Sequence, residues 1–337
     1  MSLPRILIVS LGGTITMTPS ESGGITPTLT ASDLVRSVPG IDKLAEIESI
    51  SPMRLPGPSL PLDGLIDLAS MLGKRLGVDI DGAVVIQGTD TIEETAYLLD
   101  LLVRSDRPVV VTGAMRGPSS PGADGPANLL AATIVTASRV ARGLGTLVEL
   151  NDQIHAARFV QKSHTALPSA FTSPLAGPLG FVAEGRAQIV ARVSRPVPIE
   201  TRTGAPDAPV ALVRMALGDD GRLLPALPAL GYRGVVVEGM GAGHVPAAVA
   251  PLIGDLALHM PVLLSSRVPS GPTFRRTYGY AGSEIDLLQR GVIPTGTLGG
   301  LKARILLSLL LRCSTERAAV ERSVLTHCQL HDATEGA

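Results

Sequence analysis

The chain has 337 residues, 45% of them hydrophobic and 18% charged, a balance that excludes intrinsic disorder and fits one large or two medium domains. Basic and acidic residues number 29 and 30, for a net charge of −1, so the basic excess of a nucleic-acid or anionic-membrane binder is missing. Aromatics make up 2% with no Trp, which also removes the stacking platforms used on single strands. Cys313 and Cys328 cannot build a disulfide framework, and the N-terminal residues carry no secretory signature, so the expected location is cytoplasmic. No apolar run reaches membrane-spanning length.

In chain order, Arg5–Ser10 is a short β-branched run that ends in Leu11-Gly12-Gly13. Thr30-Ala31-Ser32-Asp33 reads as a helix start, and Leu62–Gly77 has helical spacing. Ala83–Gln87 is wholly apolar up to its last residue, and a helical stretch follows from Ile92 to Arg104. Pro108–Thr112 is a third apolar run, followed by a Pro/Gly/Ser-rich loop over Gly117–Gly125. Ala127–Arg142 predicts a long helix and Leu144–Leu150 another strand. Continuous apolar runs separated by helices mean parallel strands buried on both faces, hence a doubly wound α/β sheet. Residues 194–211 are rich in Pro, Thr and Ala and read as a linker. Beyond it, Gly234–Glu238, Pro261–Ser265 and Lys302–Arg312 repeat the α/β style on a smaller scale. The expected organisation is a large mostly parallel domain over 1–193 and a smaller α/β domain over 212–337.

In open α/β sheets ligands bind outside the carboxyl ends of the strands. Those ends read Gly12-Gly13-Thr14, Gly88-Thr89-Asp90-Thr91, Gly113-Ala114-Met115-Arg116 and, in the second domain, Gly239–His244. Small residues let the backbone approach a ligand, and successive N–H groups cradle anions. Two ends present a threonine directly behind glycine, and a hydroxyl becomes a nucleophile only beside a base. Lysine is scarce, with four at 43, 74, 162 and 302, and Lys162 sits among apolar neighbours. A base role for it requires a lowered pKa, through burial or a second cation. Singly, Gly-Thr is more often a turn, and a buried Asp–Lys pair is often structural. Two such ends in one sheet bring a catalytic reading level with that alternative.

Four segments in order resemble the bacterial-type (class 1) L-asparaginases, over nearly the whole length: Ile8–Ile15, Val84–Leu98, Val111–Leu129 with Leu150–Phe171, and Gly282–Leu307. The resemblance implies a flavodoxin-like large domain and hydrolysis of L-asparagine to L-aspartate and ammonia through a β-aspartyl ester, without cofactor or metal. It places the nucleophile on Thr14 and a second polar group on Thr89, Asp90 and Lys162. Gly13, Gly57, Ser59, Gly88, Ala114, Met115 and His244 fall at substrate-binding positions. It implies a homodimer or homotetramer in which Glu284 reaches the neighbouring copy's site and meets the substrate ammonium. Three departures stand out. The family's loop tyrosine is missing from Thr16–Thr30, which leaves Thr16, Glu21 or Ser22 as activators of Thr14, or a shift of the work to Thr89–Lys162. The family's substrate-binding serine falls on Gly57, with Ser59 two residues away. An asparagine of the second domain is His244. These departures keep open an amidase of the same family acting on glutamine, D-asparagine or a modified amide, and a non-catalytic amino-acid-binding relative.

Other motifs fail on their own terms. Gly239-x-Gly241-x-Gly243 puts His244 where a dinucleotide loop needs its third glycine. His327, Cys328 and His331 lack a fourth zinc ligand. Glu93 and Glu94 suit a helix N-terminus, Asp124 suits an N-cap, and Arg116 suits a loop anchor.

Overall fold

The computed structural model describes residues 2–19, 25–195, 197–200 and 204–328. The chain forms two compact units, Met1–Pro198 and Ile199–Ala337. In the first, the elements begin with β1 (Arg5–Ser10), the hairpin β2 (Met17–Pro19) and β3 (Ile25–Pro27), α1 (Ala31–Arg36), β4 (Glu46–Ile50) and α2 (Leu62–Arg75). They continue with β5 (Gly82–Ile86), α3 (Ile92–Leu102), β6 (Val109–Thr112), α4 (Gly125–Ala137), β7 (Thr146–Leu150) and β8 (Gln153–Ala156). A short antiparallel pair, β9 (Gln161–Lys162) with β10 (Phe171–Thr172), precedes the hairpin β11 (Gly180–Ala183) and β12 (Arg186–Ile189).

The main sheet runs β12-β11-β8-β7-β6-β5-β1-β4. From β4 to β7 every pairing is parallel, as the apolar runs predict for β1, β5, β6 and β7; β4, with two glutamates and a serine in five residues, is an edge strand that no apolar run announces. The hairpin partners β8, β11 and β12 join by antiparallel pairing, so the whole sheet is mixed. The five parallel strands keep the flavodoxin-like order, and the chain reverses direction across the sheet between β1 and β5. That reversal opens a crevice at the carboxyl ends of those two strands, which end in Gly12-Gly13-Thr14 and Gly88-Thr89-Asp90.

Each element has a local cause. All five residues of β5 are buried, because helices cover both faces of the sheet. Ile6, Ile8, Val84, Ile86, Val110 and Leu147 pack on one face against Ala31 and Leu34 of α1 and Leu129, Ala132 and Val135 of α4. Thr30 starts α1 with a capping box: its hydroxyl accepts from Asp33 N, and the Asp33 carboxylate accepts from Thr30 N at 2.8 Å. The helix expected over 127–142 ends at Ala137 instead. Ser138 turns to extended backbone, Arg139–Ala141 form a separate 3-10 turn, and Gly143 adopts φ +72°.

The second unit holds β13 (Val210–Arg214), β14 (Gly234–Gly239), α5 (Ala250–His259), β15 (Val262–Ser266), α6 (Glu284–Gln289), β16 (Ile293–Pro294), α7 (Gly300–Cys313) and α8 (Arg317–Cys328). Its four strands are parallel in the order β13-β14-β15-β16. His331 lies outside the described residues.

Two buried titratable groups sit on β7 and β8. Glu149 is fully buried, and its Oε1 accepts from Asp152 N at 3.1 Å. Its Oε2 has no hydrogen-bond partner among the described residues, and burial pushes its pKa well above the ordinary glutamate value. His155 is fully buried with Nδ1 2.9 Å from Ser173 Oγ, and burial pushes its pKa down to about 4. The unfolded chain takes up a proton on His155 as pH falls through 6.5, whereas the folded chain does so only near 4. Stability held above pH 6.5 therefore drains as pH falls towards 4, by up to about 3 kcal/mol. Glu149 has the opposite sign: its stabilising contribution is complete below the ordinary glutamate pKa and is lost as pH rises. Thermal midpoints measured against pH are expected to show His155→Gln flattening the acid limb, and Glu149→Gln flattening the decline towards alkaline pH.

Gly13 imposes a second constraint. It has φ +89°, and a Cβ on it would lie 2.1 Å from Gly88 N. Gly13→Ala is expected to cost about 3 kcal/mol or more, read as a lowered thermal midpoint, because a strained φ and a backbone overlap act together.

Candidate active site

At the crevice between β1 and β5 the backbone of three loops touches without intervening side chains. A Cβ on Gly12 would meet Leu55 O at 2.4 Å, one on Gly88 would meet Gly57 N at 2.8 Å, and one on Gly57 would meet Gly88 O at 3.0 Å. Backbone hydrogen bonds fix the same approach: Leu11 N donates to Ile86 O, and Leu55 N to Leu11 O. Thr91 Oγ1 donates to Gly57 O, and Gln87 Nε2 donates to Gly88 O and Thr91 Oγ1. The Gly13–Gly88 contact sets Thr14 and Thr89 on adjoining strand ends. Thr14 is half-buried and Thr89 is buried.

Thr14 opens a 3-10 turn, Thr14–Thr16. The Thr16 hydroxyl donates to Gly13 O at 2.7 Å, which occupies it in holding the turn. The other two candidate activators, Glu21 and Ser22, lie outside the described residues.

Thr89 and Asp90 lie in a tight turn before α3, and the charge that meets them comes from 72 residues downstream. Lys162 Nζ donates to Thr89 Oγ1 at 2.8 Å and to Asp90 Oδ1 at 2.6 Å. The lysine side chain is 15% exposed and the aspartate 62%. Lys162 N donates to Glu93 Oε1 at 3.2 Å, and Phe171 of β10 pairs with Lys162 across the ladder. An ammonium in this place orients the threonine oxygen and stabilises negative charge developing on it.

The β6 end supplies the opposite wall. Ala114 is buried, and a Cβ on Gly113 would lie 3.3 Å from Thr89 Cγ2. Asp124 stands at the N-terminus of α4, but its side chain does not cap the helix as expected. It accepts from Met115 N at 2.9 Å and from Arg116 N at 2.8 Å, because the loop turns back over the helix start. Arg116 Nη1 donates to Gly122 O and anchors the loop. Asn128, absent from the sequence candidates, donates to Gly113 O and accepts from Asn151 N. Its signal lay four residues after Asp124, at a helix start beside a glycine-ended strand.

The structure therefore brings Gly13, Thr14, Gly57, Gly88, Thr89, Asp90, Ala114, Met115 and Lys162 to one end of the first unit. Ser59 closes the 3-10 turn Gly57–Ser59 and is exposed, whereas Gly57 is the residue packed on Gly88. Among the described residues no group of three or more His, Cys, Asp or Glu is placed to hold a metal ion.

His244 and Glu284 meet in the second unit. Glu284 is fully buried; its Oε1 accepts from Thr277 N at 2.8 Å and Tyr278 N at 2.7 Å, and its Oε2 lies 3.1 Å from His244 Nε2. Burial raises the Glu284 pKa, but the backbone donors and His244 outweigh it and hold the carboxyl below its ordinary value. Tyr280 Oη lies 3.0 Å from His244 Nδ1.

Known proteins resemble this chain over both units. Residues 5–195 match the family described as asparaginase, N-terminal, and residues 209–323 match the glutaminase/asparaginase C-terminal domain. A probable periplasmic L-asparaginase of Haemophilus influenzae is 32% identical over 330 residues, covering 95% of this chain and 92% of its own. A glutaminase-asparaginase of Pseudomonas fluorescens is 30% identical over 332 residues, covering 95% and 90%. The crystal structure of a probable cytoplasmic L-asparaginase from Campylobacter jejuni superposes with a TM-score of 0.84 at 30% identity, over 96% of this chain and 99% of that one. Both domains, their order and the fold agree, and the chain belongs to the asparaginase family of amidohydrolases.

Proposed function

We propose that the protein hydrolyses the side-chain amide of L-asparagine to L-aspartate and ammonia, with Thr14 as nucleophile. The observation that carries this reading is the Lys162 ammonium bridging Thr89 Oγ1 and Asp90 Oδ1, one backbone contact away from Thr14. Thr14 Oγ attacks the amide carbon, and its proton passes through a water to the amide nitrogen, while the Lys162 ammonium keeps its protons on Thr89 Oγ1 and Asp90 Oδ1. Backbone N–H groups at the glycine-rich strand ends hold the oxyanion. The C–N bond breaks, the departing nitrogen takes up a proton, and a β-aspartyl ester remains on Thr14. Water oriented by Thr89, Lys162 and Asp90 cleaves that ester. The substrate binds between the β1 and β5 ends, with Ala114 and Met115 flanking it, and no cofactor takes part. A homo-oligomer and a cytoplasmic location belong to the same proposal. In it, Glu284 is the group that a second copy brings to the substrate ammonium, and His244 holds its Oε2 from behind.

A second amide substrate competes on one observation. Where the family pattern expects a serine this chain has Gly57, and even a Cβ there would crowd Gly88 O and Thr91 Oγ1. The α-carboxylate then relies on backbone donors, which discriminate less sharply between asparagine and its homologue glutamine. Ammonia release from L-asparagine, D-asparagine and L-glutamine is expected to favour L-asparagine. Thr14→Ala and Thr89→Ala each lower kcat by about 10³-fold or more, and Lys162→Met follows them. A Thr14→Ala protein with wild-type turnover overturns the nucleophile assignment.

A further inference from the structure

We propose that Asn128 is a positioning residue for this reaction, holding the Gly113–Arg116 strand end against Thr89. Asn128 is 3% exposed, and its amide ties together three separate segments. Nδ2 donates to Gly113 O at 2.9 Å and to Asp124 Oδ2 at 3.2 Å, and Oδ1 accepts from Asn151 N at 3.1 Å. Asp124, steadied by that bond, takes the N–H groups of both Met115 and Arg116. On its other side Gly113 has no room: its missing Cβ would lie 2.6 Å from Gln87 O, 3.2 Å from Ile92 Cδ1 and 3.3 Å from Thr89 Cγ2. The strand end is thus clamped between the amide and the threonine that Lys162 addresses.

No other side chain of similar size does this. Two donations and one acceptance are needed in one buried place. Aspartate cannot donate when ionised, and it adds a second charge beside Asp124. Loss of the amide leaves Gly113 O without its buried donor and frees the segment to move. A misplacement near 1 Å costs about 10²-fold in rate.

The inference rests on the reading that Thr89 belongs to the reacting group, and the test separates the two. Asn128→Ala, Asn128→Ser, Asn128→Asp, Thr89→Ala and Val135→Ala are purified, and kcat and KM for L-asparagine are measured well below each protein's thermal midpoint. Asn128→Ala is expected to lower kcat about 10–100-fold with a smaller change in KM. Asn128→Ser, which keeps a donor, falls between it and wild type, and Asn128→Asp is at least as impaired as Asn128→Ala. Val135→Ala removes a fully buried side chain from the same helix away from the amide. It lowers the midpoint and keeps wild-type kcat. The inference is overturned if folded Asn128→Ala or Asn128→Ser turns over at the wild-type rate, or if Val135→Ala loses as much kcat as Asn128→Ala. An active Thr89→Ala removes the underlying reading. An inactive Thr89→Ala beside fully active Asn128 variants removes only the role of Asn128.

Discussion

The site depends on the approach of glycine backbones at the reversal between β1 and β5. Gly12, Gly13, Gly57 and Gly88 each face main-chain atoms where a Cβ would stand, at 2.1–3.0 Å. Side chains flex, whereas peptide groups in contact do not, so the spacing between the β1 and β5 ends is set by the main chain itself. Two hydroxyls carried on those ends inherit that spacing.

Charge is delivered to this rigid floor from outside the parallel core. Lys162 belongs to a two-residue strand in the excursion between β8 and β11, braced by β10 and by Glu93 at the start of α3. With Asp90 more than half exposed, the ion pair is screened by solvent and contributes little to stability. Its consequence is geometric: an ammonium held by two oxygens aims one proton at Thr89. Stability and site placement are therefore separable here. The first comes from apolar strands under α1 and α4, the second from glycines and a few directed hydrogen bonds.

That division explains how far the amino-acid sequence could be read. Wholly apolar runs such as Ala83–Ile86 have a single consistent interpretation, so β1, β5, β6 and β7 and the glycine-ended tips were legible, whereas the polar edge strand β4 was not. The strands β8, β11 and β12 were not, because they are short and partly exposed, and they lack a continuous apolar run. A turn signal was present in Asn151-Asp152, both with positive φ, as tight hairpins require. Asp124 was assigned by position alone, and the backbone folding over it decided which N–H groups it serves. The Lys162–Thr89 contact spans 73 residues, and no local rule reaches that far; only the family resemblance joined them.

The second unit poses the same question of what a buried charge is for. Glu284 stays below its ordinary carboxyl pKa although it is fully buried, because two backbone N–H groups converge on one oxygen. Its other oxygen faces His244, whose far nitrogen faces the Tyr280 hydroxyl. With the imidazole neutral, the ionised carboxylate accepts the Nε2 proton, and Nδ1 is left to accept from the tyrosine. That assigns one tautomer and one direction to the whole chain of bonds. An asparagine in the same place can present either end of its amide, whereas this histidine can present only what Glu284 and Tyr280 leave it. The departure from the family pattern at position 244 therefore replaces an adaptable group by an oriented one.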